Sequence, residues 1–330
     1  MTQVGSAGLD NGSARDINPA WMGVDLAPDA GVIQMPEACL QEIVELAELL
    51  EANPLPIEAL SAEEFVLPHC RRVMDQARQL VERETGFALI DRLPLDRINW
   101  DTATKIYWIL VSMISRPVAQ NWAGALVYGV ADVTKKKPGN GIRPDVTNAE
   151  QNFHTDNSYN VTPPDLVALF CLQTAKSGGI SRIVSFETVK LRMMERYPAL
   201  LKRLYEPFLF DRQREHSPND PKWITNPIFS EAQDGRLNVR LSAYLVRQGY
   251  ALAGQPIDPE GDAALKALSE IIDDPGLYKE FLFEPGQIQI VDNRRIGHKR
   301  TAFEDWPEPE RQRHLVRIWL RAHGRRFYHG

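Results

Sequence analysis

Cysteine is scarce in this sequence: Cys39, Cys70 and Cys171 are the only three, and no two of them form a Cys-x-x-Cys pair. An odd number of scattered cysteines excludes a disulfide scaffold and is typical of a reducing compartment, so we expect a cytoplasmic protein. The longest apolar run, near residues 106–114, is far shorter than the roughly 20 residues of a membrane span. The first residues are polar and contain no apolar signal core.

An excess of basic residues is also missing. The chain has 38 Lys and Arg against 44 Asp and Glu, a net charge of −6, which argues against a nucleic-acid-binding protein. A locally basic pocket for a small anionic substrate remains compatible with this charge. The sequence has no P-loop, no Gly-x-Ser-x-Gly and no Gly-x-Gly-x-x-Gly after a predicted strand, so nucleotide-binding and α/β-hydrolase functions lose support. We therefore expect a small-molecule substrate, with no nucleic acid and no membrane as partner; a homo-oligomer is compatible with the sequence.

The hydrophobic pattern predicts helices mainly in the N-terminal third and strands from residue 153 onward. Residues 1–33 have little periodicity and are expected to form a flexible arm. Helices are predicted from Pro36 through about Leu50 and over 68–84, 101–114, 187–205 and 263–272, and strands over 87–90, 123–130, 167–172, 181–185, 237–245, 287–291 and 314–320. This order predicts a mainly β fold with helices, a sandwich or jelly-roll core supported by N-terminal helices. We expect one domain over 34–330, with lid insertions near 135–152 and 208–235.

One histidine has a carboxylate two residues away in a predicted strand: His154 and Asp156, in the sequence His-Thr-Asp. Side chains alternate along a strand, so both should point to the same side. A histidine and an aspartate projecting together are two-thirds of the facial triad that holds Fe(II) and leaves three coordination positions open. On its own this short motif is weak.

The triad needs a second histidine from a distant part of the chain. His298 is the best candidate, because it follows the predicted strand 287–291 and the turn Asp292-Asn293. His216 lies in a polar loop and is a poorer candidate. His314 lies in a strand on the face opposite the arginines described next. For Asn293 we rank turn formation above a role near the metal.

Three arginines recur at intervals of four in the last strand: Arg313, Arg317 and Arg321. They should share one face, while residues 314, 316, 318 and 320 should form a buried outer layer. Buried arginines are costly unless they meet anions, and a guanidinium binds a carboxylate through charge-assisted hydrogen bonds. We expect Arg313 and Arg317 to contact a ligand and Arg321 to form salt bridges with surface Asp and Glu residues.

Taken in order, these segments resemble the Fe(II)/2-oxoglutarate-dependent dioxygenases of the taurine dioxygenase type, the TauD/TfdA-like family. The segments are the His-Thr-Asp motif, PGQIQIVDNRRIGHKRTAFED and RHLVRIWLR, together with GFALIDRLP, Thr162-Pro163-Pro164 and the Gly178-Gly179 turn. The resemblance spans roughly residues 86–322. It implies a double-stranded β-helix, a distorted jelly roll of the clavaminate synthase type, and the cofactors Fe(II), 2-oxoglutarate and O₂.

The resemblance also assigns roles to residues. His154, Asp156 and His298 resemble the iron ligands. Arg313 resembles the arginine that binds the distal carboxylate of 2-oxoglutarate, and Ser181 stands where family members often have a threonine that bonds the same group. Arg317 resembles a second arginine, which serves the cosubstrate or an anionic substrate. The spacing between His298 and these arginines is a few residues longer than in the taurine enzyme, with extra residues around 306–309. The choice between Arg313 and Arg317 as the cosubstrate ligand therefore stays open.

The resemblance implies oxidation, most simply hydroxylation, of an unactivated C–H bond in a small molecule, with release of succinate and CO₂. Asp156 retains the carboxylate that halogenating relatives replace, while desaturation, epoxidation and ring closure stay open. An amino-acid derivative or a natural-product intermediate is the expected substrate. Candidate substrate contacts are Asn152, Tyr159, Arg240, Tyr244 and Arg317. Two other classes are compatible with the sequence: a divalent-metal hydrolase or isomerase on a jelly-roll fold, and a non-catalytic ligand sensor on the same scaffold.

Overall fold

A computed structural model describes residues 19–133, 146–232 and 234–330 of the chain. The described helices are α1 (Glu37–Ala52), α2 (Pro68–Arg83), α3 (Trp100–Ser112), α4 (Phe186–Arg196), α5 (Pro198–Leu204), α6 (Ala243–Ala253) and α7 (Pro259–Ile272). Short 3₁₀ turns lie at Gly23–Asp25, Ile57–Ala59, Ala62–Glu64 and Pro309–Arg311.

Polar side chains fix where several helices begin. Asn99 accepts a hydrogen bond from the backbone N–H of Thr102 at 3.0 Å and starts α3. Asp258 accepts from the N–H of Gly261 at 2.7 Å and starts α7. These contacts satisfy N–H groups that the first turn of a helix leaves unpaired.

In the described part of the chain, the strands form one large sheet, one small sheet and three two-stranded antiparallel pairs. They are β1 (Val32–Gln34), β2 (Phe87–Asp91), β3 (Pro117–Val118), β4 (Tyr128–Val130), β5 (Gln151–His154), β6 (Leu166–Gln173), β7 (Ser177–Gly178), β8 (Ser181–Ser185), β9 (Pro207–Asp211), β10 (Trp223–Pro227), β11 (Phe229–Glu231), β12 (Leu237–Val239), β13 (Tyr278–Phe281), β14 (Ile288–Asp292), β15 (Ile296–Arg300), β16 (Phe303–Glu304) and β17 (His314–Leu320). The seven-stranded sheet has the order β1-β2-β14-β6-β17-β3, with β4 also pairing with β17, and the four-stranded sheet has the order β13-β8-β15-β5. The remaining pairs are β9 with β10, β11 with β12 and β7 with β16.

The large sheet has two differently covered faces. Helices α1, α2 and α3 pack on its outer face, where Ile288, Ile290, Val316, Ile318 and Leu320 join their apolar core. Alternate residues of the same strands, such as Val291 and Trp319, join a second core with α4 to α7. The predicted outer layer of β17 is confirmed for Val316, Ile318 and Leu320, whereas His314 is only half-buried. The inward face is left for the functional side chains.

Several predicted elements were wrong. The strand expected over 237–245 ends at Val239, and residues 243–253 form α6, which Ser242 starts by accepting from the N–H of Leu245 at 3.3 Å. The helix expected over 187–205 is two helices, because Pro198 begins a second one. The strand expected over 123–130 is limited to Tyr128–Val130. Helices are not concentrated in the N-terminal third, since α4 to α7 lie between residues 186 and 272.

The structure also differs at the expected arm. Trp21 is 5% exposed and its indole N–H donates to the carbonyl oxygen of Thr85 at 2.7 Å. Val32–Gln34 pairs in parallel with β2. Residues 19–33 therefore pack on the body of the protein, while residues 1–18 of the expected arm lie outside the described residues.

Of the two expected lid insertions, the segment near 135–152 lies largely outside the described residues, which resume at Val146. The segment near 208–235 contains β10, β11 and most of β9. Within the described ranges, no helix has both the length and the apolar character needed to cross a bilayer.

Candidate active site

His154, Asp156 and His298 lie together between the two main sheets. His154 is the last residue of β5, and His298 is its direct partner across the antiparallel β5–β15 pair. The ligand atoms of the three side chains all lie within 4.8 Å of one another. Asp156 Oδ1 is 3.3 Å from His154 Nε2 and 3.5 Å from His298 Nε2. Two imidazole nitrogens and one carboxylate oxygen thus converge on a single point.

The imidazole of His154 is oriented to offer a lone pair at that point. The Nδ1 of His154 lies 2.8 Å from the carbonyl oxygen of Asn152, so Nδ1–H donates there and Nε2 is the free acceptor. Burial, and then the charge of His154, lower the pKa of His298. Two imidazoles and a carboxylate form the donor set that suits a divalent transition metal, so these residues fit Fe(II). Gln151 Nε2 lies 3.0 Å from His154 Nε2, a contact that a metal would replace.

The second oxygen of the Asp156 carboxylate is held by two side chains of β17. Trp319 donates its indole N–H to Oδ2 at 2.7 Å, and Arg317 Nη1 lies 3.2 Å from the same atom. Burial alone would raise the pKa of Asp156, but the charge of Arg317, followed by the close contacts with both imidazoles, holds that pKa well below its usual range. The carboxylate is therefore ionised, with Oδ1 left toward the histidines. Trp319 is a functional residue that the sequence analysis missed.

Asn293 holds the backbone of the same aspartate. Its Oδ1 accepts from the N–H of Asp156 at 2.8 Å, and its Nδ2 donates to the carbonyl oxygens of Asp156 at 2.9 Å and Pro164 at 3.1 Å. The ranking of turn formation above a role near the metal was wrong, because these contacts cross 137 residues of sequence to reach the candidate ligand.

Gln120 holds Arg317 in place, and the sequence analysis did not identify it either. Its Oε1 accepts from Arg317 Nε at 2.9 Å, and its Nε2 donates to the Arg317 carbonyl oxygen at 2.7 Å. Gln120 is 1% exposed. The guanidinium is thus fixed in direction as well as in position.

A small cavity of about 50 Å³ lies on one side of the three side chains; we call it the inner cavity. Both sheets contribute to it. Its polar lining consists of Gln151, His154, Asp156, Ser181, Gln289, His298, Lys299, Arg300, Arg313 and Arg317. The predicted residues Ser181, Arg313 and Arg317 therefore reach the same enclosed space as the histidines.

Arg313 is buried beside this cavity. It is 5% exposed, and its Nη1 has no hydrogen-bond partner among the described residues. Burial, and then the charge of Arg300, lower the pKa of Arg313. A buried cation without a paired anion is unfavourable, and an anionic ligand in the inner cavity would stabilise it. Gly178 and Gly179 let the backbone of their turn pass close to the Arg313 side chain. Both glycines have positive φ, and a Cβ on Gly179 would lie 3.3 Å from Arg313 Nε.

A larger cavity of about 290 Å³ lies on the other side; we call it the outer cavity. Of the predicted substrate contacts, Asn152, Tyr159, Tyr244 and Arg317 line it. Its remaining wall includes the aliphatic residues Leu241, Leu245, Leu265, Leu268 and Ile272. His154, Asp156 and Arg317 line both cavities, so the candidate metal point stands between them.

Two arginine predictions were wrong. Arg240 does not line the outer cavity; its guanidinium donates to the carbonyl oxygens of Ser158, Asn160 and Val161 and so holds the loop after Asp156. The side chain of Arg321 donates to the carbonyl oxygens of Thr162, Arg325 and Phe327, rather than forming the expected salt bridges. Buried backbone acceptors can satisfy a guanidinium as well as carboxylates can, and the spacing of residues cannot distinguish them.

Comparison with known proteins supplies an independent line of support. Residues 51–319 match the model of the "Taurine catabolism dioxygenase TauD, TfdA family". FR-33289 synthase from Streptomyces rubellomurinus is 27% identical over 299 residues, which cover 88% of this chain and 85% of that protein. The taurine hydroxylase-like protein SAT17 from Stachybotrys chartarum is 26% identical over 311 residues, covering 91% of this chain and 77% of that protein.

Solved structures show the same fold at lower identity. An asparagine oxygenase in complex with Fe(II), 2S,3S-3-hydroxyasparagine and succinate superposes with a TM-score of 0.66 at 19% identity, covering 88% of this chain and 93% of that chain. The non-haem iron oxygenase OrfP with Fe, succinate and (3S)-hydroxy-L-Arg also gives 0.66, at 16% identity, covering 88% and 94%.

The fold and the site together define an oxygenase built around the candidate metal centre of His154, Asp156 and His298. The chain belongs to the TauD, TfdA family of dioxygenases. It is an Fe(II)- and 2-oxoglutarate-dependent dioxygenase with O₂ as cosubstrate, which confirms the enzyme class and cofactors implied by the resemblance. The hydrolase and sensor alternatives are not favoured.

Proposed function

We propose that this dioxygenase hydroxylates an unactivated C–H bond of a small amino-acid-derived or natural-product molecule. The observation that carries the proposal is the position of His154, Asp156 and His298 between two separate cavities. One cavity suits a dicarboxylic cosubstrate and the other suits a substrate. An oxidation that couples the two compounds needs both of them next to one metal.

His154 Nε2, Asp156 Oδ1 and His298 Nε2 would hold the iron. When bound, Fe(II) supplies the centre at which O₂ and 2-oxoglutarate react, giving succinate, CO₂ and an oxidised substrate. The chain's own part is to orient these groups. Trp319 and Arg317 fix the far oxygen of Asp156, and the inner cavity encloses the cosubstrate away from water.

We assign the distal carboxylate of 2-oxoglutarate to Arg313 and Ser181, both of which line the inner cavity. Arg313 does not line the outer cavity, whereas Arg317 lines both and lies beside Asp156. This difference supports Arg313 as the cosubstrate clamp and Arg317 as the contact for an anionic group of the substrate.

The outer cavity supports a substrate with one anionic end and an apolar body. Arg317 supplies the cation near the metal point, while Tyr159, Asn152 and Tyr244 offer polar contacts. The aliphatic wall from α6 and α7 would cover the apolar part. Asparagine oxygenase and OrfP are found with hydroxylated amino acids, which supports an amino-acid derivative here as well.

The finer architecture is part of the proposal. The facing seven-stranded and four-stranded sheets, with the site between them, support a double-stranded β-helix core in one domain from residue 34 onward. We propose that the segment near 208–235, together with residues 150–152, acts as a lid over the outer cavity, since Gln213 and residues 150–152 line it. Three free thiols support a reducing, cytoplasmic location.

Substrate-stimulated succinate formation tests the function. Purified protein would be supplied with Fe(II), 2-oxoglutarate and O₂, then with aliphatic α-amino acids and their N-acyl derivatives. We expect at least one carboxylate compound to stimulate succinate release and gain one oxygen atom by mass spectrometry. Matched amines that lack the carboxylate should not stimulate it. Equal stimulation by the amines would contradict the role of Arg317, and hydrolysis without O₂ uptake would contradict the proposed chemistry.

A further inference from the structure

A glutamine occupies the middle of the buried strand β14, which otherwise reads Ile288, Ile290, Val291 and Asp292. Gln289 is 2% exposed and lies on the inward face, opposite the isoleucines that pack against the helices. Its direct neighbours on the adjoining strands are Leu89 and Leu169. A polar side chain between two leucines in a sheet interior requires a hydrogen-bonding partner from elsewhere.

Ser181 supplies a hydrogen-bond partner for the amide oxygen of Gln289. The Oγ of Ser181 donates to Gln289 Oε1 at 3.4 Å, a contact that joins the four-stranded sheet to the seven-stranded sheet. The Nε2 of Gln289 has no hydrogen-bond partner within the described parts of the chain. A fully buried amide nitrogen without a hydrogen-bond partner lowers the stability of the fold. This N–H group is therefore available to donate to a ligand.

The inner cavity indicates what that group is. Gln289, Ser181 and Arg313 all line it, and the Nη1 of Arg313 likewise lacks a partner among the described residues. The single carboxylate in the described lining is Asp156, whose oxygens face His154, His298, Arg317 and Trp319. Donors and positive charge therefore exceed acceptors at the Ser181 end of this cavity.

We infer that Gln289 is a cosubstrate-binding residue, whose Nε2–H donates to the distal carboxylate of 2-oxoglutarate alongside Arg313 and Ser181. The inference rests on the proposed placement of that carboxylate. Gln289 comes from β14, Ser181 from β8 and Arg313 from the residue before β17. Donors from these three elements would then share one carboxylate, each through a charge-assisted hydrogen bond.

Calorimetric titration of 2-oxoglutarate into protein loaded with Mn(II), a redox-stable substitute for iron, tests this residue without turnover. Gln289→Met keeps the length and volume of the side chain but removes the donor. Because a hydrogen bond to a charged group is lost, the dissociation constant for 2-oxoglutarate should rise about tenfold or more. The Mn(II) affinity and melting temperature should stay within error of the wild type.

Gln287→Met is the matched control, since Gln287 bonds to the backbone N–H of Glu284 and to Asp91 outside the inner cavity. It should leave 2-oxoglutarate binding unchanged. An unchanged or tighter dissociation constant in Gln289→Met would overturn the inference, as would a loss equalled by Gln287→Met. Wild-type protein that binds Mn(II) but no 2-oxoglutarate would instead contradict the proposed function itself.

Discussion

Trp319 donates its indole N–H to Asp156 Oδ2 at 2.7 Å across 163 residues of sequence. The tryptophan is 3% exposed and stands on the inward face of β17, two residues after Arg317. Together these side chains occupy one carboxylate oxygen and leave the other directed at both histidines. The orientation of the candidate metal ligand is therefore set by the last strand of the large sheet.

Removal of this hydrogen bond should weaken the metal site. Trp319→Phe retains an aromatic ring in the core but loses the N–H, so Asp156 Oδ2 is held by Arg317 alone. Loss of such a supporting contact typically lowers metal affinity by about tenfold to hundredfold. Anaerobic titration with Fe(II), or with Co(II) under calorimetry, measures the change.

Trp108→Phe provides the matched control. Trp108 is also buried, and its indole N–H donates to the carbonyl oxygen of Leu60 at 3.0 Å in the helical layer. Its loss should lower stability but leave metal affinity unchanged. Equal effects of both substitutions on metal binding would show that Trp319 acts only through general packing.

Asn293→Leu should destabilise the protein strongly. Asn293 is 1% exposed and makes three hydrogen bonds to backbone groups of Asp156 and Pro164. The leucine would leave a buried N–H and two carbonyl groups unpaired, at a cost of about 2–4 kcal/mol in free energy of unfolding. Urea denaturation measures this cost. Wild-type stability in the variant would contradict the account, as would an unaltered metal affinity in the folded fraction.

Stability should depend on the ionisation of Asp258 at acidic pH. Its carboxylate receives two hydrogen bonds from the buried Arg203, at 3.2 and 2.6 Å, and starts α7 by accepting from Gly261. The side-chain bond from Arg203 is the largest cause of the lowered pKa of Asp258. A carboxylate with a lowered pKa stabilises the fold above its unfolded pKa, near 4. This contribution is lost as pH falls through the folded pKa.

Asp258→Asn keeps the shape and the helix start but removes the charge. We expect its melting temperature to lie below that of the wild type at pH 7, and the difference to shrink as pH falls from about 5 to 3. Thermal melts across this range measure the difference. A gap that stays constant with pH would show that Asp258 acts through its hydrogen bonds alone.

Local patterns in the sequence were sufficient to predict the inward face of β17. Alternation along the strand separates Arg317 and Trp319 from Val316, Ile318 and Leu320, and the structure has this division. The same alternation failed at residues 243–245, where LNVRLSAYL continues a strand pattern into a helix. Packing of α6 on β9 is a tertiary contact, and a short alternating segment contains no information about it.

The supporting residues of the site were harder to predict than the histidines. Gln120, Asn293 and Trp319 act through contacts that span 197, 137 and 163 residues of sequence, and each is an unremarkable residue in its local segment. Arg240 was misassigned for a related reason. A basic residue near a pocket wall has the same sequence signal whether it meets a ligand or backbone carbonyl groups.

The central claim is that His154, Asp156 and His298 hold one Fe(II) beside the 2-oxoglutarate site. Anaerobic addition of Fe(II) and 2-oxoglutarate, followed by visible absorption spectroscopy, tests it most directly. The account predicts a weak metal-to-ligand charge-transfer band that saturates at one Fe(II) per chain in the wild type and is lost in His298→Ala. A band of equal strength in that folded variant, or no band in the wild type, would contradict it.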